Sequence, residues 1–355
     1  MMDIIEAKIA LDKVIDKARV HLYKPIQLAE ILYRDRVQQD INLLDLATYR
    51  NQSKKWRDII CLQFLGRIST SSARYQDDVF NDNAVPPSAI AVLGEENKKK
   101  NGIVEAYIYH KFSQRHGQMT FGLDYCITHS RIEFKLKEFL DQFWMEPGLR
   151  RSIDKVYEMV VYALFSALLE AIELSVRVSI NPDKMDILAE FEEFAQEIIQ
   201  LSTTQTNMVM KGKINRQGVT NASDRGLDMW ANFGIAIQIK HLSLTEELAE
   251  SIVSSVSSDR VVIVCKDAEK QLIVSILNQI GWKSKIQSIV TENNLMAWYE
   301  KALRGEHAEL IGDNLLKLLQ KEIESEFPVT RGNDFSDFMK KRNYLATMDS
   351  FWQII

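Results

Sequence analysis

Between Met229 and His241 the chain changes its period. Met-Trp-Ala is followed by Asn232-Phe-Gly234 and then by Ile-Ala-Ile-Gln-Ile-Lys-His, an alternation that suits a strand and not a helix. Side chains alternate across a strand, so Ile235, Ile237 and Ile239 fill one face while Gln238 and Lys240 share the other. Asn232-Phe-Gly234 predicts the turn of a hairpin, and Asp224-Arg-Gly-Leu-Asp228 leads into its first strand, which carries Asp228. An aspartate facing a polar residue, with a lysine two positions further on, is the core of a metal-dependent phosphodiesterase. A sheet is needed to bring the three side chains together.

The chain around this hairpin supports a sheet. A helix is predicted over 244–256, a strand over Arg260–Cys265, a helix over Ala268–Ile280, a strand over Lys285–Val290 and a helix over Asn294–Arg304. An amphipathic helix follows near Glu309–Glu326. Strands alternating with helices predict an α/β fold, a mixed sheet flanked by helices. The first 75 residues read as helical, with Ile5, Ile9, Leu11 and Val14 at helical spacing. Asn81 to Gly102, with Pro86-Pro87 and a Lys-Lys-Lys run, reads as a loop. After Pro147-Gly148 a long apolar helix is expected from Ile153 to about Val178, ended by Asn181-Pro182. A second helix over Asp183–Leu201 would place Leu188, Phe191, Ala195 and Ile198 on its apolar face. This divides the chain into a mainly helical DNA-recognition region (1–149), a catalytic domain (150–305) and a C-terminal helical extension (306–355).

A formal net charge of −5 is unpromising for a nucleic-acid partner until it is mapped. Residues 151–200 hold four bases against ten acids, a net of −6, which more than accounts for the acidity of the whole chain. Arg50 to Gln76 holds Arg50, Lys54, Lys55, Arg57, Arg67 and Arg74 against Asp58, a net of +5. Lys211, Lys213 and Arg216 stand with no acid between 201 and 223. Local basic stretches govern phosphate contact, although either stretch is also what a solvated face looks like. Three cysteines without CxxC spacing argue against a disulfide framework or a zinc site. The N-terminus has no signal-peptide pattern and no run of eighteen apolar residues occurs, so a soluble, cytoplasmic protein is expected. No phosphate-cradling glycine motif supports nucleotide hydrolysis.

Cleaving a phosphodiester requires charge neutralisation on the phosphate and an activated water, and Mg²⁺ suits both through oxygen ligands and retained waters. Asp228 would supply the anionic ligand and Gln238 a neutral amide oxygen. Lys240 would orient the attacking water, help it lose a proton or stabilise developing charge. Glu190, Glu193 and Glu197, along one stripe of the 183–201 helix, are candidates for a further carboxylate, and spacing does not choose among them. A rival pattern, Asp124 followed by Glu133-Phe-Lys135, has the acid that Gln238 lacks. However, Ser130 and Glu133 form a capping box and Ile132, Leu136, Phe139, Leu140 and Phe143 follow with helical spacing, so Glu133 and Lys135 would diverge by about 200°. His241 points away from Lys240, His110, His116 and His129 have no ligand spacing, and Trp230 and Phe233 read as packing or turn residues.

Asp224-Arg-Gly-Leu-Asp228 with Gln238-Ile-Lys240 resembles the PD-(D/E)xK nuclease superfamily in its variant with Gln in the second acidic place. Arg57-Asp58, Ser69-Thr-Ser-Ser-Ala-Arg-Tyr-Gln-Asp-Asp78, Arg151-Ser-Ile-Asp154 and Gly218 to Gly234 resemble, more narrowly, the HaeII type of type II restriction endonuclease. The resemblance implies a PD-(D/E)xK-like fold and Mg²⁺-dependent double-strand cleavage of DNA within purine-GCGC-pyrimidine. It implies Asp228, Gln238 and Lys240 as catalytic residues, with Asp228 and Gln238 on the metal. A palindromic target favours a homodimer, and such an enzyme works beside a cognate DNA methyltransferase. Lys54, Lys55, Arg67 and Arg74, with Gln76, are the candidates for DNA contact. Two further readings remain open at this point: a structure-specific repair nuclease, and a DNA-binding protein whose catalytic pattern has decayed.

Overall fold

The computed structural model describes residues 2–353 apart from 19–20, 70, 146–152, 217–226, 257, 259, 269–284, 328–332 and 346–348. In chain order the helices of the first part are α1 (Ile4–Lys17), α2 (Tyr23–Val37), α3 (Gln52–Leu65), α4 (Ala73–Asp77), α5 (Pro87–Lys99), α6 (Ile103–Thr128), α7 (Leu136–Met145) and α8 (Ile153–Ala171). Then come β1 (Ser175–Ser179), α9 (Met185–Glu190), β2 (Asn207–Lys211), β3 (Ile214–Arg216), β4 (Met229–Ala231) and β5 (Ala236–Ser243). The chain ends with α10 (Glu246–Ser255), β6 (Val261–Asp267), β7 (Ile286–Thr291), α11 (Glu292–Arg304), α12 (Ala308–Glu326) and α13 (Asn333–Lys341). Two compact units result, Met1–Val156 with Gln320–Ile355 and Tyr157–Gln217 with Asp224–Leu319.

The first unit is helical around one apolar core, to which the C-terminal segment contributes. Phe335 and Phe338 of α13 meet Phe64 of α3 edge-on at 5.0 and 5.1 Å, and Trp352 is fully buried 5.3 Å from Tyr107. Two buried carboxylates join the helices. Glu30 of α2 accepts from both terminal nitrogens of Arg342 at 2.6 and 3.1 Å and from the Tyr109 hydroxyl at 2.5 Å. Glu105 of α6 accepts from Arg36 at 2.9 and 2.8 Å, from Asn97 at 2.6 Å and from the Tyr344 hydroxyl at 2.5 Å. Each carboxylate is saturated by donors, which is the condition for keeping a charge away from water.

In the second unit a five-stranded sheet has the order β3-β4-β5-β6-β7. β3, β4 and β5 are antiparallel neighbours, whereas β5, β6 and β7 run parallel. A parallel step needs a crossover, and α10 supplies the one from β5 to β6. Ala249 and Ile252 of α10 pack on Ala236, Val261, Ile263 and Cys265, one face of the sheet. Val262 and Val264 alternate with these toward the other face. α11 lies along β6 and β7, and its Tyr299 donates to the Val160 carbonyl of α8 at 2.8 Å. This is the expected mixed sheet flanked by helices.

Three sequence expectations are corrected. The 81–102 loop is helix α5 from Pro87 to Lys99, because Pro87 takes the first helical turn, where its missing N–H is no loss. The long helix ends at Ala171 and not near Val178. Glu173 adopts φ 50°, the Leu174 N–H returns to the Leu169 carbonyl at 3.2 Å, and the alternating Ser175-Val-Arg-Val-Ser179 pairs with β2. The 183–201 helix is broken into α9, a single turn at Glu192–Phe194 and a π turn at Ala195–Ile199. Leu188 and Ala195 are buried while Phe191 and Ile198 of the supposed same face are exposed. The expected helix over 268–280 lies almost wholly outside the described residues.

Arg342→Met would leave Glu30 buried without its cation. The expected loss is about 3–5 kcal/mol in a urea melt, and a change below about 1 kcal/mol would mean that the pair carries little of the unit's stability.

Candidate active site

The hairpin forms as its sequence dictates. Gly234 takes φ 88°, its N–H donates to the Ala231 carbonyl at 3.0 Å, and Ala231 N–H donates to Ile235 at 2.8 Å. Asn232 ties the turn down, donating to the Lys211 carbonyl and accepting from the Lys213 N–H, both at 2.9 Å. The register pairs Met229 with Ile237 and Trp230 with Ala236, so Asp228, one residue before β4, falls opposite Gln238. Directly opposed residues share a face.

The structure therefore brings Asp228 and Gln238 together, with Lys240 two residues along on the same face. The Ile239 backbone N–H donates to Asp228 Oδ2 at 2.7 Å, and the Gln238 amide NH₂ donates to the same oxygen. Sequence reading missed the Ile239 contribution, since a backbone donor has no residue signature. With its nitrogen spent on Asp228, Gln238 is left to offer Oε1. That atom is buried, in a side chain 2 % exposed, and has no hydrogen-bond partner among the described residues. An unsatisfied buried acceptor costs about 1–3 kcal/mol, which a bound cation would relieve. Lys240 is partly exposed and has no hydrogen-bond or ion-pair partner among the described residues. Cys265, its register mate on β6, is buried, and burial with Asp267 nearby pushes the thiol up to about 11.

Two oxygen donors side by side, one anionic and one neutral, fit a hard divalent cation that keeps most of its waters. Among the described residues no group of three or more His, Cys, Asp or Glu is placed to hold a metal. Glu190, Glu193 and Glu197 are all exposed, on the helical turns between β1 and β2. The buried Glu158 of α8 stands 3.7 Å from Arg216, which pairs with Met229 and so belongs to the opposite face of the sheet. Arg216, counted above in a basic stretch, is thus spent on a buried partner. The rival motif is dissolved: Asp124 lies within α6, Glu133 accepts from the Ser130 N–H and hydroxyl at 3.1 and 2.8 Å, and Lys135 pairs with Glu138. Trp230, expected to pack, is 41 % exposed, because β3 and β4 are three residues long and give it little to pack on. The motif's leading residues Asp224-Arg-Gly226 lie outside the described residues.

In the first unit the DNA-contact candidates separate. Arg50 and Lys54 both pair with Asp77, at 2.9 and 2.7 Å, an acid just beyond the stretch counted in the sequence. Arg57 is buried, held by Asp58, Gln27 and Gln76, so Gln76 serves the interior. Arg67 donates to the Ser325 carbonyl. Lys55 and Arg74 are exposed and have no ion-pair partner among the described residues.

An antiparallel meander running into parallel strands, with Asp before the second strand and Gln-x-Lys on the third, is consistent with a PD-(D/E)xK-like fold. The HaeII restriction endonuclease family model matches residues 7–344. The type II restriction enzyme HaeII of Haemophilus aegyptius is 62% identical over 349 residues, covering 98% of this chain and 99% of that protein. The type II restriction enzyme NgoBI of Neisseria gonorrhoeae is 55% identical over 347 residues, covering 98% of each chain. No solved structure matches the chain. The chain belongs to the HaeII restriction endonuclease family, a family of type II restriction enzymes.

Replacing Gln238 by Glu adds an anionic donor and removes the amide that holds Asp228. Divalent-ion affinity, measured by calorimetry, is expected to rise about tenfold or more. Unchanged affinity would place the cation elsewhere.

Proposed function

We propose that this chain makes Mg²⁺-dependent double-strand cuts in DNA at a short palindromic site, purine-GCGC-pyrimidine by family resemblance. The observation that carries the reading is the buried Gln238 Oε1, without a donor, beside Asp228 and on the face of Lys240. Bound there, Mg²⁺ would supply charge neutralisation on the scissile phosphate. Asp228, fixed from two sides by Ile239 N–H and the Gln238 amide, presents its carboxylate without needing to reorganise. Lys240 carries its charge on a strand, so the ammonium approaches phosphate and water in a set direction. It orients the attacking water and stabilises charge that develops on the phosphate oxygens. Recognition falls to the helical N-terminal region, with Lys55 and Arg74 as its available cations, and cleavage to the domain that holds the five-stranded sheet. A homodimer on a palindrome, paired in the cytoplasm with a methyltransferase of the same specificity, completes the proposal. Among the described residues no helix is long and apolar enough to cross a membrane.

The test is digestion of unmethylated plasmid DNA in Mg²⁺ or EDTA. Wild-type protein is expected to give discrete fragments only with Mg²⁺, and Asp228→Asn and Lys240→Met each to lower the rate by at least about a hundredfold. Smearing or cutting confined to branched DNA would favour the repair nuclease, and intact DNA throughout would favour a binding protein.

Lys55→Ala and Arg74→Ala are each expected to weaken binding of any duplex. Each should also lower the slope of log affinity against log salt by about one, read by fluorescence anisotropy. An unchanged slope in both variants would remove these residues from the DNA surface.

A further inference from the structure

The sheet face that carries Asp228, Gln238 and Lys240 is covered unevenly. The apolar cluster beneath α10 takes in Ala236 of β5, Val261, Ile263 and Cys265 of β6 and Ile286 of β7, but no described residue of β3 or β4. The antiparallel edge of the same face is therefore left open. Trp230 lies there, two residues from Asp228 and so on its face, and is 41 % exposed. Asn215 of β3 is its register partner and shares that face. Lys213 continues the row one residue before β3. Its N–H donates to Asn232 Oδ1 at 2.9 Å, and the Asn232 N–H returns to the Lys213 carbonyl at 3.1 Å.

These side chains have chemistry that the fold leaves unused. The half-buried Asn215 amide makes no hydrogen bond among the described residues, and its Nδ2 is buried without an acceptor. An unpaired buried donor is costly, and folding alone gives no reason for an amide at this position. With no partner to fix it, a half-turn about Cβ–Cγ exchanges the two ends of the amide, so its NH₂ is available to an arriving acceptor. Lys213 is exposed and has no ion-pair partner among the described residues. Trp230 adds a broad apolar surface. A donor, a cation and an indole in one row suit phosphate oxygens and the deoxyribose between them. From Asp228 to the Lys213–Asn232 pair is four residues, about 13 Å at about 3.3 Å each, against roughly 3.4 Å of helix axis per phosphate of one DNA strand. A strand with a phosphate at Asp228 is blocked toward β6 and β7 by α10, so it passes over β4 and β3.

We propose that Lys213, Asn215 and Trp230 hold the DNA backbone beside the scissile phosphate, with Lys213 and Asn215 on phosphate oxygens and Trp230 against deoxyribose. This rests on the nuclease reading above. Backbone contacts position a duplex and carry no sequence information, so this subsite acts on affinity and not on the choice of site. Its two polar members differ in salt dependence. The lysine neutralises a phosphate and releases counterions, whereas the neutral amide does not.

The experiment follows cleavage of a short duplex with one purine-GCGC-pyrimidine site in Mg²⁺ by the full-length protein. Its variants are Lys213→Ala, Asn215→Ala, the isosteric Asn215→Asp and Trp230→Phe, with thermal melts to confirm folding. Both Asn215 variants are expected to raise KM, the aspartate at least about tenfold, with kcat and cut position unchanged, because the contact is the same in ground and transition state. A merely structural asparagine would do the reverse, lowering the melting temperature at unchanged KM. For binding in EDTA, Lys213→Ala should lower the slope of log affinity against log salt by about one, and Asn215→Ala should leave it as it is. Duplex should also shield Trp230 from acrylamide, read as the difference in quenching between wild type and Trp230→Phe. Unchanged KM in the folded Asn215 variants, or a Trp230 as open to acrylamide with duplex as without it, overturns the subsite, while wild-type cleavage keeps the nuclease reading. A wild type that leaves the duplex intact in Mg²⁺ overturns both.

Discussion

Strand β5 is interior to its sheet, with β4 on one edge and β6 on the other and with α10 packed on the face that Gln238 and Lys240 share. Alternation along such a strand leaves no freedom: if Ile237 and Ile239 are core on one face, residues 238 and 240 must project among Ala236, Ile263 and Cys265 on the other. Two polar side chains among apolar neighbours are expensive unless something satisfies them. Asp228 satisfies half of Gln238, and the Ile239 N–H satisfies Asp228 in turn. What stays unsatisfied is the Gln238 amide oxygen, an acceptor that the cation proposed above would satisfy. The site is thus a consequence of the strand's position, with Lys240 brought to it by a period of two.

The first unit shows why charge counts along the chain mislead. The basic stretch of 50–76 carries a net of +5 on paper. In the fold Asp77 takes Arg50 and Lys54, while Asp58 takes Arg57 into the interior. Glu30 and Glu105 likewise exhaust Arg342 and Arg36. A cation engaged in a buried pair contributes almost nothing to the field outside, because its partner sits within a few ångströms. Lys55 and Arg74 stand at the surface, Arg67 meets only a neutral carbonyl, and the half-exposed Arg50 shares one carboxylate with Lys54, so a DNA-facing field depends on fewer groups than the composition suggests.

The hairpin, β6, β7, α10, α11 and α12 were legible because each carries a strong period between clear breakers. The helix start expected at Ser130 is instead a turn, with α7 beginning at Leu136, so the rival motif fails because Asp124 lies in α6 and Glu133 is held by Ser130 in that turn. The errors share a physical origin in neighbours distant along the chain. The helical pattern through Ile153 to Val178 contained a strand-like Val-Arg-Val that β2, some thirty residues later, captures as a partner. The triple lysine near 98–100 looked like loop because its pairing with Asp35, Glu96 and Asp349 comes from the fold. At the site, Asp228, Gln238 and Lys240 could be read from spacing. The backbone donor that fixes Asp228 could not, nor could the pairing of Arg216 with Glu158.

Glutamine in the second acidic place has its own logic. Two carboxylates opposed across this partly buried hairpin pair would repel each other, and one would take up a proton or move apart. An amide has two ends. Its nitrogen binds the aspartate directly, which holds the carboxylate in place without metal, and its buried oxygen is left without a hydrogen-bond partner among the described residues. With Asp228 and Lys240 of opposite sign on one face, the metal-free site carries no net charge. In the proposed site the cost would be a weaker ligand field for the cation, since one donor is neutral. The advantage would be a site already assembled before a metal arrives, so that binding does not also have to order the residues that bind it.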